Sequence, residues 1–124
     1  MKTIAAVLAF VFVGCSSEPD KYTWGTVSEQ LSVEYCSALS RCLWIDQSDI
    51  GRCSEHTLYH LCEYSETCGV ELDQKAVQPK LESCLAAINE VTDPASDQCF
   101  FIGYFGAVPP VCNEVLELAP PEQK

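Results

Sequence analysis

The sequence predicts an all-α domain, a small disulfide-rich bundle of about four helices. Three observations carry that reading. Eight cysteines fall within the 77 residues from Cys36 to Cys112, separated by 5, 10, 8, 5, 15, 14 and 12 residues. Between them, apolar side chains recur three and four positions apart, the spacing of one helical face. No stretch alternates apolar and polar residues for the length of a strand.

The first helix is expected from Thr26 to about Ile45, with Thr26 and Glu29 standing as a capping box. Val27, Leu31, Tyr35, Ala38 and Cys42 share its core face, Cys36 lies on a flank, and Val33 and Trp44 lie opposite. Asp46–Asp49 form a polar joint, and Ser48 or Asp49 can cap a second helix that runs to about Tyr64. Ile50, Thr57, Leu58 and Leu61 centre its apolar stripe, with Cys53 and Cys62 beside it. Gly69 is available for the left-handed position that closes this helix. Asp73 is the expected cap of a third helix whose stripe is Val77, Leu81, Cys84, Leu85, Ile88 and Val91; Pro79 should kink it or mark its true start. After a turn at Asp93-Pro94 comes CFFIGYFGAVPP, strongly apolar but without clear periodicity. A short last helix follows within VCNEVLELA, with Pro110 near its first turn, and residues 120–124 read as a disordered tail.

The cysteines are read as a framework: Cys36, Cys42, Cys53, Cys62, Cys68, Cys84, Cys99 and Cys112 should form four intramolecular bridges joining different helices. Two cysteines six apart in a continuous helix are about 9 Å apart, too far for a bridge. Cys36 and Cys42 therefore cannot pair, and Cys62 and Cys68 are barred likewise unless the helix ends before Cys68. Otherwise the 105 pairings of eight cysteines stay open. At about 2–4 kcal/mol each, four bridges rival the whole stability of an ordinary small domain, about 5–15 kcal/mol.

Ahead of the domain, residues 1–14 read MKTIAAVLAFVFVG: one lysine, then an apolar run from Ile4 to Val13. Ten apolar residues fall short of the roughly 30 Å of a bilayer core at 1.5 Å per residue, and the pattern fits a secretory leader. The junction Gly14-Cys15-Ser16-Ser17 resembles the lipobox of bacterial lipoproteins, although Phe12 stands where leucine is usual. That resemblance implies cleavage after Gly14, lipidation of Cys15 and, with Ser16 following, an outer-membrane address facing the periplasm or the exterior. The cysteine count agrees, because nine cysteines leave one over and lipidation of Cys15 removes it. An ordinary leader with a free or intermolecular thiol at Cys15 is the alternative. Residues 15–26 then read as a flexible tether carrying Pro19 and Gly25, and residues 27–119 as the domain. Lipobox, tether and cysteine-rich helical domain together are similar to the small lipoproteins of myxobacteria and their relatives. That similarity implies a cell-envelope location and no known activity.

With 7 basic and 18 acidic residues the net charge is −11, and losing Lys2 with the leader makes it −12. Such a balance excludes nucleic acid as a partner and disfavours anionic membrane surfaces, so the membrane contact is expected from the lipid alone.

Few constellations suggest chemistry. His56 and His60, four apart in HTLYH, share a helical face, and Glu63 one turn on completes a candidate metal triad. Thr57 stands where a zinc protease needs glutamate, so two surface histidines and no metal or cofactor are the expectation. Zinc on the eight cysteines is disfavoured by the absence of C-x-x-C pairs and by an oxidising compartment. Secreted phospholipases are excluded because Thr57 replaces the aspartate after their catalytic histidine and the calcium loop is missing. Serine hydrolases are excluded for want of a G-x-S-x-G elbow. Phe100, Phe101, Tyr104 and Phe105 serve either as core filler, the favoured reading, or as the lining of a binding groove. Two function classes remain: a binding or structural module for an envelope or extracellular protein, without catalytic activity, and a metal-dependent enzyme or metal-binding protein built on His56, His60 and Glu63.

Overall fold

The computed structural model describes residues 21–122, and five α-helices account for most of them. The leader, the junction at Cys15 and most of the expected tether lie outside the described residues. Helix α1 spans Trp24–Arg41, α2 spans Ile50–Leu58, α3 spans Gln74–Asn89, α4 spans Asp97–Tyr104 and α5 spans Asn113–Leu116. Short 3₁₀ turns at Gln47–Asp49 and Pro110–Cys112 lead into α2 and α5. Among the described residues there is no strand, only one isolated antiparallel bridge between Thr23 and Glu71.

α1 begins two residues before the expected start. Thr23 is the cap, its hydroxyl accepting from the Thr26 amide at 3.2 Å. The reason is Trp24, 1 % exposed, whose indole N–H donates to the Leu61 carbonyl at 3.0 Å. Its amide and that of Leu72 pair across the bridge with Val70 and Tyr22, each at 2.8 Å. Residues 22–26 are therefore docked against the loop after α2 and do not belong to a tether. Gly25 belongs to that close approach: a β-carbon there would lie 2.7 Å from the Cys68 carbonyl oxygen.

α1 also ends before the expected Ile45. Leu43 takes a left-handed φ of 69°, its amide bonding back to Ser40 and that of Trp44 to Leu39. This is a Schellman closure with leucine at the position glycine usually holds. The chain after α2 closes the same way: Glu66 has φ 60°, and the Glu66 and Thr67 amides return to Glu63 and Cys62. Gly69 does not take the left-handed position expected of it; Glu66 holds it three residues earlier. Asp49 does precede α2, yet its carboxylate makes no cap bond and instead lies 3.9 Å from Arg52.

α3 starts where its cap, Asp73, accepts from the Lys75 amide at 3.2 Å. It runs through Pro79 unbroken, because that residue is exposed and water can reach the carbonyl left without a donor. Val77, Leu81, Cys84 and Ile88 are its buried row, with Val91 just beyond. Arg41 ties α1 to the end of α3, its guanidinium donating to the Ile88 and Val91 carbonyls at 2.9 and 3.1 Å.

α4 is a helix the sequence pattern does not announce. Ser96 caps it, accepting from the Cys99 amide at 3.1 Å while donating to the Asp93 carbonyl. Helix α5 is shorter than the stretch expected for it, and Leu118 packs on the core beyond its end.

The eight cysteines form Cys36–Cys53, Cys42–Cys99, Cys62–Cys68 and Cys84–Cys112. Cys36 and Cys42 take different partners, as their spacing requires. Cys62–Cys68 does not join two helices, contrary to expectation. The Schellman turn at Glu66 ends the helical path and brings the two Cα atoms to 4.9 Å. The other three bridges hold α2, α4 and the turn before α5 to the α1–α3 body around Val27, Leu81, Ile88, Ile102 and Val115. Four disulfides in so small a domain point to an extracellular or envelope location. Among the described residues no helix is long and apolar enough to cross a membrane.

Candidate functional site

Two features stand out on this scaffold, an aromatic face on α4 and a cavity beside α2. The face follows from which side of α4 is anchored. Cys99 and Ile102 point inward and are both 1 % exposed. At about 100° per residue, Phe100, Phe101, Tyr104 and Phe105 must then point away. They are 48, 47, 66 and 65 % exposed, so they are not core filler. The large side chains that fill the core are instead Trp24, Leu81 and Ile88.

These rings pack on one another. Phe100 stacks on Tyr104 with centroids 5.3 Å apart and planes 13° from parallel, and Tyr104 meets Phe105 edge to face at 4.8 Å. Trp44 flanks them, its indole lying on Gly103, where a β-carbon would overlap the ring. The indole N–H donates to the Cys99 carbonyl at 2.7 Å. The only charged side chain on α4 is Asp97.

The cavity, about 350 Å³, lies among α1, α2 and the turn after it, α3, α5 and the chain leading into α5. Leu31, Ile88, Cys84, Cys112, Val108 and Leu116 give it an apolar interior. Polar groups gather on the α2 side, where His56, Thr57 and His60 reach it. Two hydroxyls in its wall are already committed. Thr57 donates to the Cys53 carbonyl at 2.9 Å, and Tyr35 to the Ile102 carbonyl at 3.3 Å. Burial pushes the Tyr35 phenol above its ordinary value.

The His56 and His60 rings meet edge to face with centroids 4.5 Å apart, as their spacing implies. Glu63 does not join them. From Tyr59 to Glu63 the backbone is a π-turn, wider than an α-helical one, with the Tyr64 amide returning to Tyr59. The turn rotates Glu63 off the shared face, and among the described residues no group of three or more His, Cys, Asp or Glu is gathered as a metal ion requires. No signal in the sequence marks Tyr35, Thr57, Val108 or Leu116 as neighbours, since they come from separate segments. No protein-family model, curated protein or solved structure matches this chain.

Proposed function

We propose that this chain is an exported cell-envelope lipoprotein, lipidated at Cys15, whose stapled helical domain is an interaction module without catalytic activity. The observation that carries the module reading is the exposed, self-stacked aromatic face of α4. A soluble domain gains nothing in stability by setting four large rings in water, whereas such rings are the usual anchors of a protein interface. Asp97 is the only charge on that helix, which suits an apolar protein surface as the partner. The lipid supplies the membrane contact and holds the module at the outer membrane, facing the periplasm or the exterior. The junction at Gly14-Cys15 supports this, as does the commitment of the other eight cysteines to disulfides.

The test uses the full chain expressed with its leader. Intact mass of the membrane-extracted protein should show residues 1–14 gone and a diacylglyceryl group on Cys15. Crosslinking in the envelope should yield a discrete adduct that Phe101→Ser with Tyr104→Ser abolishes without lowering the melting temperature. A free N-terminus upstream or downstream of Cys15, or an adduct indifferent to the double substitution, would refute the corresponding half of the proposal.

A further inference from the structure

The cavity beside α2 is a second site, independent of the aromatic face. It is a recess of about 350 Å³ open to solvent on the histidine side, with buried Leu31, Cys84, Ile88 and Cys112 at its base. Its walls are covalently set. Cys84–Cys112 crosses its inner wall and Cys36–Cys53 fixes α2 against α1 beside Thr57, so the space is not closed by a shift of either helix.

The chemistry of the walls is divided. The interior is aliphatic and sulfur, offering neither donor nor acceptor side chains. His56 and His60 are exposed and stand at the rim. An imidazole carries at least one N–H in either protonation state. The protons of Thr57 and Tyr35 are spent on backbone carbonyls, so the donors left for a ligand are the histidine N–H groups. An apolar interior with donors at one end fits an amphiphile whose tail goes in and whose oxygen acceptor stays at the mouth. At about 30 Å³ per water-sized group, the space holds roughly eleven such groups.

We propose that this cavity binds one unbranched amphiphile of medium chain length, its tail against Ile88 and Leu116 and its carboxylate or hydroxyl oxygen accepting from His56 or His60. A quaternary ammonium head has no lone pair with which to accept a histidine N–H and so forgoes that bond. The site takes the ligand into the pre-formed space, with no change in the helices that line it.

Calorimetric titration of the mature, fully oxidised chain tests this with three probes of equal tail: decanoate, 1-decanol and decyltrimethylammonium, each below its aggregation limit. One-to-one saturable binding is expected for decanoate, decanol or both, and the tighter of the two identifies the preferred head group. The ammonium probe should bind at least about tenfold more weakly, the loss of one good hydrogen bond. Leu116→Trp should abolish binding by filling the space. His56→Ala with His60→Ala, both exposed and therefore harmless to folding, should weaken it about tenfold by the same reasoning. Phe101→Ser with Tyr104→Ser should leave it intact, which separates this site from the aromatic face. Absence of saturable binding for both oxygen-headed probes would overturn the proposal. So would equal binding of the ammonium probe, indifference to the histidine pair, or loss of binding in the aromatic-face variant.

Discussion

Replacing both partners of one disulfide by alanine should cost very different amounts depending on which bridge is removed. Cys42–Cys99 closes a separation of 57 residues and Cys62–Cys68 one of 6. In the chain-entropy account, a bridge stabilises by restricting the unfolded chain, as the logarithm of the loop it closes. That gives about 4 kcal/mol for the long loop and about 2 kcal/mol for the short one. Cys36–Cys53 and Cys84–Cys112, separated by 17 and 28 residues, fall between them. Cavity costs do not reverse the order, because Cys42, Cys99 and Cys62 are all nearly buried and each pair loses two sulfur atoms. At about 4–8 °C per kcal/mol for a domain of this size, the two double variants should melt roughly 8–16 °C apart. Cys42→Ala with Cys99→Ala should be the lower. Calorimetry on the unreduced variants, with thiol titration confirming three remaining bridges, measures it. Equal melting temperatures, or the short-loop variant melting lower, would show that loop entropy does not set the order.

Three further outcomes rest on single residues. Leu43→Gly should raise stability by about 1 kcal/mol, because leucine is held in the left-handed region at a cost of about 1–2 kcal/mol, is 77 % exposed and has little packing to lose; urea unfolding checks it. Gly103→Ala should lower stability even though alanine favours helices by about 0.8–1 kcal/mol, because its methyl must expel the Trp44 indole and break the bond to Cys99. Loss of ordered Trp44 fluorescence is the accompanying signature. Tyr35→Phe should flatten the loss of stability above about pH 10. The native phenol is raised by burial, so in that range the unfolded chain binds fewer protons and stability falls as pH rises. Tyr22, raised by burial and by Glu82, keeps part of that slope. Melting temperatures across the alkaline range, compared with those near neutrality, decide it.

The parts of the fold legible in the sequence are those where one local signal acts alone. Asp73 and the Val77–Ile88 row fix α3 because cap and stripe agree, and Pro79 stays harmless because it faces water. The ends of α1 and of the helical run through Glu63 were not legible. Both close on non-glycine residues whose left-handed backbone is held by the very next side chain, Trp44 against Gly103 and buried Thr67 above Cys62. The cavity was not legible at all, since its walls come from separate segments held together in part by Cys36–Cys53 and Cys84–Cys112, and eight cysteines do not declare their partners. The histidine pair was readable as a pair, but the π-turn that removes Glu63 leaves no mark in HTLYHLCE.

α4 hid for a different reason, which bears on function. A helix normally docks by burying its large side chains, and periodicity finds it by that stripe. Here the buried side is only Cys99 and Ile102, while the rings face out, so both sides are apolar and no period emerges. Two buried residues, one of them a cysteine, are a weak hold. What keeps α4 in place is the bridge to Cys42, the Trp44 indole on the Cys99 carbonyl and the Tyr35 hydroxyl on the Ile102 carbonyl. A covalent tie thus stands in for hydrophobic burial and frees the aromatic side chains to be displayed. Cys42→Ala with Cys99→Ala should then loosen α4 before the rest of the domain. Amide exchange at residues 97–104 should rise well below the melting temperature while α3 stays protected. Uniform protection until global unfolding would mean that packing alone holds α4, and that the outward rings need another explanation than the staple beneath them.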